Sequence, residues 1–201
     1  MRVIAGEAKG RPLKAVPGSG TRPTTDKVKE AIFSMIGPFF KGGQALDLFA
    51  GTGGLGIEAL SRGMTRAVFI DLERQSIEVV RRNVEAAGMA GRAEIYKNEA
   101  GRALKLLEKR GQTFELVFLD PPYKMREADQ LMMEMAVRGL LAPEAVIVVE
   151  HDARHIYRET FAQFRQRRQA LYGDIAVTIY DYVQGEKKPT GGTTDEAPSQ
   201  D

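Results

Sequence analysis

Residues 44–60 read QALDLFAGTGGLGIEAL. An apolar run that carries one acid, Asp47, ends at Phe49, a glycine-rich turn follows, and apolar residues then recur at helical spacing. Strand, tight turn and helix in that order form the opening unit of an open α/β sheet. Gly51, Gly53 and Gly56 fit G-x-G-x-x-G, and Asp71 lies twenty residues beyond Gly51. In such a unit the helix N-terminus and a close backbone approach admit a ligand, while the acid accepts hydrogen bonds from ribose hydroxyls. The glycines alone are a weak signal, because many strand-to-helix turns need positive φ without binding anything.

The alternation continues outward from this unit. After QALDLF (44–49), strand-like runs recur at AVFIDL (67–72), AEIYK (93–97), ELVFL (115–119) and AVIVVE (145–150). Helical patterns fill 53–62, 73–88, 99–110 and 127–140. Ile77, Val80, Val84 and Ala87 form the sheet-facing stripe of the second, Leu104 and Leu107 that of the third. QALYGDIAVTIYDYV (169–183) has a turn signal at Gly173-Asp174 and reads as a hairpin. A helix around 153–164 is expected to lead into it. At the other end RVIAG and PLKAV flank a turn as a small hairpin, then a loop precedes a helix from about Asp26 with an apolar stripe of Val28, Ala31, Ile32, Met35 and Ile36. Residues 185–201 lack apolar content and are expected to be disordered. The division is therefore 1–40 as a basic extension, 41–184 as the α/β domain and 185–201 as a tail.

Asp47 sits inside the strand that enters the glycine turn. An acid there repels a pyrophosphate but suits a ligand with a positive amino-acid end, such as S-adenosylmethionine, which carries an ammonium and a sulfonium and no phosphate. Glu99-Ala100, after the third strand, puts a carboxylate where it meets an adenine amino group. Each acid also has a local reading: Asp47 caps a turn, Asp71 caps the helix near Glu73, and Glu99 is a solvated first-turn acid.

At 118–124 the chain reads FLDPPYK. Strands 44–49 and 115–119 are expected to be neighbours across the switch point, where ligands bind in open α/β sheets. Asp120 then accepts from an amino group. The prolines donate nothing and aim rigid carbonyls into the cleft, and Tyr123 stacks a planar base. This suits methylation of an exocyclic amine on an aromatic ring, whose delocalised lone pair must be oriented.

Composition bounds the rest. No apolar run approaches the ~20 residues of a membrane span, and MRVIAGEAKG lacks a signal-peptide pattern. Without cysteine there is no disulfide or thiolate metal site, and a reducing cytoplasm is the simplest compartment. His151 and His155, just past a strand, are expected on the solvated surface, so no metal is implied. The net charge of +2 is unevenly spread. Residues 1–29 carry Arg2, Lys9, Arg11, Lys14, Arg22, Lys27 and Lys29 against Glu7 and Asp26, a net of +5. Such an arm suits a phosphate-rich partner, and equally a solvated surface.

With DLFAGTGGLGIEAL and FLDPPY in place, the chain resembles Rossmann-like class I S-adenosylmethionine-dependent methyltransferases with the (N/D)PP(Y/F) signature. RVIAGEAKGRPLKAVPGSGTRPTTDKVKEAIFSMI and LYGDIAVTIY narrow the resemblance to the RsmD family, which methylates the N2 amino group of a guanine in small-subunit (16S) ribosomal RNA. The resemblance spans roughly residues 1–183. It implies a seven-stranded, mostly parallel sheet with an antiparallel last strand, plus a small N-terminal hairpin and helix. It places Asp47, Phe49, Gly51, Thr52, Gly53, Gly56, Asp71, Leu72, Glu99 and Ala100 on cofactor positions, and Asp120, Pro121, Pro122 and Tyr123 on the catalytic motif. Lys9, Arg11, Arg22 and Thr24 become the RNA-facing residues. The implied partner is ribosomal RNA, in the small subunit or an assembly intermediate, with the protein a monomer. The family usually has Asp-Ala where this chain has Glu99-Ala100, and Asp71 is often Glu. Adenine-N6 or protein-glutamine methylation uses closely similar signatures, commonly with Asn first. An NAD-dependent oxidoreductase and a non-catalytic RNA-binding module are readings of other classes.

Overall fold

The computed structural model describes residues 1–18, 25–122 and 127–184. In chain order the elements are α1 (Asp26–Ile36), β1 (Gln44–Asp47), α2 (Gly54–Ser61), β2 (Arg66–Asp71), α3 (Arg74–Ala86), β3 (Ala93–Lys97), α4 (Ala100–Lys109), β4 (Phe114–Leu119), α5 (Ala128–Val137), β5 (Leu141–Asp152), β6 (Thr160–Phe161), β7 (Phe164–Tyr172) and β8 (Ile175–Tyr182). The strands form one sheet in the order β3-β2-β1-β4-β5-β8-β7-β6. β1 to β5 are parallel, whereas β8 runs antiparallel to β5 and to β7. β1 lies between β2 and β4, so the chain reverses direction across the sheet there and opens a crevice at the strand ends.

The sheet has a core on each face. Side chains of α1, α2 and α3 meet Ala45, Phe69, Phe118 and Val148 on one face, and those of α4 and α5 meet Leu46, Val68, Val117 and Ile147 on the other. The alternation along each strand produces this division. Ile77, Val80, Val84, Leu104 and Leu107 are buried as their spacing requires.

Three expectations are corrected. The segment 153–164 is not a helix: it is a loop followed by β6 and the start of β7. Phe161 and Phe164, spaced as a helical pair, stack instead with Tyr180 and Tyr182 across the sheet. Pairing along β8 thus overrides the local pattern, and β6 becomes an eighth, two-residue strand at the edge. His151 is not at the surface; it is buried, with its ring nitrogens against Thr178 Oγ1 (2.8 Å) and the Asp152 carbonyl (2.9 Å). Burial accordingly lowers its pKa.

The third correction concerns the basic arm. Lys29 is fully buried on α1, where its Nζ donates to the Arg2 carbonyl (2.5 Å) and faces Glu58 Oε2 at 3.3 Å. It therefore belongs to the interior and adds nothing to the surface field. Glu58, on α2, also accepts from Ile4 N, Ala5 N and Arg62 Nε at 2.7–2.9 Å. Ser61 and Asn83 tie down the following residues of the N-terminal segment, Asn83 bonding both backbone groups of Lys14. The paired segment has a single ladder bridge, Arg2 with Pro12. Val3, Ala8 and Leu13 lie in the same core as α1 to α3. Residues 185–201, expected to be disordered, lie outside the described residues.

Candidate active site

Four apolar strands carry an acid near their carboxyl ends: Asp47 ends β1, Asp71 ends β2, Asp120 lies just past β4, and Glu150 stands two residues before the end of β5. Each follows by two residues a member of the core under α1 to α3 (Ala45, Phe69, Phe118, Val148). Strand alternation therefore turns all four carboxylates to that face. They meet at the carboxyl ends of adjacent strands, beside the N-terminus of α2.

The glycine turn is shaped as its sequence suggests. Gly51 (φ 53°) and Gly53 (φ 76°) have left-handed backbones, which other residues resist. A Cβ on Gly51 would meet nothing within 4 Å, so this part of the turn borders open space. Gly56 serves packing: a Cβ there would lie 2.3 Å from the Phe69 ring. Asp47 Oδ2 accepts from Gly56 N at 3.0 Å, and Asp71 Oδ2 from Gly51 N at 2.8 Å. The acids thus hold the turn in place and keep lone pairs for more donors. The Thr52 carbonyl accepts from Asn83 Nδ2 at 2.9 Å. Phe49 is half-buried against the second core, and Leu72 is 59% exposed, an apolar surface beside Asp71.

Charge dominates the electrostatics. Among the described residues no ion pair includes Asp47, Asp71 or Asp120. Burial pushes the Asp47 carboxyl up to about 7, with the Gly56 hydrogen bond opposing and nearby Asp71 adding to the rise. Asp120 is raised well above the usual carboxylate range by burial first, then by Glu150 and Asp47. A pocket that penalises its own negative charges favours a cation.

Two local readings turn out to coexist with the site. Asp71 Oδ1 accepts from Glu73 N at 2.8 Å, so it caps the entry to α3 as well as holding Gly51. Glu99 is the N-cap of α4 and accepts from Gly101 N at 3.3 Å, with Ala100 the first helical residue. β1 and β4 are hydrogen-bonded neighbours, as expected. Pro121 is buried and Pro122 exposed. Lys9 and Arg11 are exposed on either side of the Gly10 turn. Tyr123, Arg22 and Thr24 lie outside the described residues.

Sequence reading missed Glu150, Glu58 and Asn83. Glu150 had a signal, since AVIVVE repeats the pattern of an apolar strand ending in an acid. Glu58 and Asn83 had little, because apart from Arg62, one helical turn from Glu58, their partners lie far away in sequence.

A parallel sheet with an antiparallel β8 between β5 and β7, and an acid-lined glycine turn at its switch point, defines the class I methyltransferase fold. Residues 1–181 match the family described as Conserved hypothetical protein 95. The chain belongs to this family, the RsmD family. It is 48% identical over 180 residues to YlbH of Bacillus subtilis (strain 168), provisionally named an rRNA methyltransferase; the match covers 90% of this chain and 98% of that one. It is 33% identical to Ribosomal RNA small subunit methyltransferase D of Escherichia coli (strain K12), covering 92% of each. Among solved structures, yhhF of Escherichia coli, provisionally named a methyltransferase, superposes with a TM-score of 0.77 at 31% identity, over 92% of this chain and 99% of that one.

Proposed function

We propose that this protein transfers a methyl group from S-adenosylmethionine to the exocyclic N2 amine of a guanine in small-subunit ribosomal RNA. The observation that carries the reading is the position of Asp120-Pro121-Pro122 at the end of β4, directly beside the strand that enters the glycine turn. The names of the relatives support methylation of ribosomal RNA.

The donor set fits the cofactor. Asp47 and Asp71 make a negative pocket beside a turn with open space at Gly51, and that charge disfavours a pyrophosphate as strongly as it favours an ammonium and a sulfonium. In this reading Asp47 holds the amino-acid end, Asp71 takes ribose hydroxyls, and Leu72 offers apolar surface to the base. Glu99 faces the adenine amine only with the oxygen that its cap bond leaves over. When bound, the cofactor supplies a methyl group on positively charged sulfur, which keeps the bonding electron pair on release.

The chain's own residues orient and discharge the amine. Its lone pair is delocalised into the ring, so it must be turned out of conjugation and steadied. The Asp120 carboxylate and the Pro121 carbonyl accept its two N–H bonds and stabilise the positive charge that grows on nitrogen. The prolines lack N–H groups and add no competing donor. Stacking on Tyr123 contributes ~1–3 kcal/mol by analogy with other base–aromatic contacts. A base in structured RNA must leave its stack to enter such a crevice, and Lys9, Arg11 and Arg22 contact its phosphates.

Transfer of labelled methyl groups to small ribosomal subunits, naked ribosomal RNA and DNA, with nucleoside analysis of the products, tests this reading. Label in N2-methylguanine of the ribosomal RNA is expected. Label confined to N6-methyladenine or to protein overturns it.

A further inference from the structure

The stretch QFRQRRQ (163–169), which leads into β7, takes no part in the roles above. Residues 153–173 carry five arginines and no lysine against a single acid, Glu159. Register fixes where the β7 arginines stand. Phe164 pairs with Tyr182 and Gln166 with Tyr180, and both tyrosines lie in the core against α4 and α5. Arg165, opposite Asp181, is therefore on the other face of the sheet. A bulge between Gln166 and Arg168 inserts one residue, so Arg168 falls opposite Ile179, a member of the core under α1 to α3. The inserted Arg167 turns to that face as well, where its Nε and Nη2 donate to Asp181. Three exposed arginines thus share one face.

Two of these charges are unanswered. Asp181, the only acid of β8, is taken by Arg167. Arg165 and Arg168 have no ion-pair partner among the described residues. Charges guard an edge strand against pairing with another chain, but either sign on either face serves that end. A one-sided row of one sign, made of arginine alone, matches a row of phosphates, which the planar guanidinium grips with two bonds.

The row also flanks the crevice. Arg168 is level, through Ile179 and Val148, with Phe118, two residues before Asp120. The strands run β4-β5-β8-β7, so three spacings of ~4.8 Å put Arg168 about 14 Å across the sheet from β4. The N-terminal arm is bonded to α2 and α3, which pack on β1 to β3, and so lies over the opposite half of the same face. The acids stand between the two. We propose that Arg165 and Arg168 form a second RNA-contact surface, which binds ribosomal RNA phosphates flanking the target nucleotide on the side away from the arm; this rests on the RNA-methylation reading above. Extruding a base costs its stacking. Phosphates held on both sides of it offset that cost and fix the strand that presents the base.

The test is binding of the full chain to naked small-subunit ribosomal RNA across a range of salt concentrations. It compares wild type with Arg165→Ala/Arg168→Ala and with Arg165→Lys/Arg168→Lys, which keeps both charges. Each phosphate neutralised contributes about 0.7–0.9 to the slope of log affinity against log salt. The alanine pair should therefore lower the slope by about 1.5 and weaken binding about tenfold near physiological salt. The lysine pair should keep the slope within about 0.5 of wild type. In the alanine pair KM for RNA should rise, with kcat and the calorimetric affinity for S-adenosylmethionine within about threefold of wild type. An unchanged slope in the alanine pair overturns the proposal. So does weakened binding to assembled small subunits with unchanged binding to naked RNA, which would set a ribosomal protein against this row instead. A wild type that binds the RNA and transfers no methyl group counts against the methylation reading, and the slopes still decide whether the β7 arginines touch RNA.

Discussion

Two acidic sites on either side of the glycine turn, Glu58 in α2 and Asp47 with Asp120 at the strand ends, behave in opposite ways. Glu58, on α2, has its charge answered by Lys29 and Arg62 and its lone pairs filled by the Ile4 and Ala5 N–H groups. Asp47 and Asp120, at the ends of β1 and β4, have no ion-pair partner among the described residues and neighbour further acids. A buried charge that is fully answered serves as a staple: here it fastens the N-terminal segment to the helix behind the glycine turn. A buried charge left unanswered costs stability and reserves its field for something that arrives from outside. The same residue type is structural in one place and functional in the other because of its neighbours.

Four variants probe this contrast. Asp120→Ala should reduce methyl transfer about 10²–10⁴-fold, the range for loss of a positioned group that handles the reacting proton, while cofactor affinity by calorimetry stays near wild type. A large loss of cofactor binding would make Asp120 part of the cofactor pocket instead. Glu58→Ala strands two buried cations and should cost about 3–5 kcal/mol in denaturant unfolding. A loss below about 1 kcal/mol would show that the staple does not hold the fold.

Asp47→Asn should do the reverse. Folded Asp47 keeps its proton up to about pH 7, whereas its ordinary pKa is 3.8. Stability contributed by the protonated form is therefore lost as pH rises from about 4 to about 7. Asparagine retains an acceptor for Gly56 and has no charge to bury. The variant should thus be more stable than wild type at pH 8, by up to about 4 kcal/mol, and equal to it near pH 4. It should also bind S-adenosylmethionine at least about tenfold more weakly. A variant less stable than wild type at pH 8 would break the contrast with Glu58. The smallest effect is expected on the exposed arm: replacing Lys9 and Arg11 with alanine should weaken RNA binding and lower the salt slope by about two. An unchanged slope would remove these two residues from the RNA surface.

Several parts of the fold were legible because they are local. Gly51 and Gly53 need left-handed backbones, Pro121 and Pro122 end a strand, and Gly173-Asp174 turns a hairpin; each is a property of a few adjacent residues. The segment 153–164 misled because Phe161 and Phe164 satisfy a helical spacing, while pairing with β8 and stacking on Tyr180 and Tyr182 decide its structure. Lys29 looked like surface charge for the same reason. Its partners, the Arg2 carbonyl and Glu58, are brought to it only by folding.

The alternating α/β order, the glycine turn, the acid–proline motif and the family could therefore be read from the residues, since these rest on dihedral preference, period and residue identity at short range. Which charges are answered and which are not was settled by packing alone. It gathered Asp47, Asp71, Asp120 and Glu150 onto one face near the carboxyl ends of adjacent strands and set Glu58 among cations. Electrostatic energy depends on burial and on distances between residues far apart in the chain, and those quantities exist only once the strands are in register.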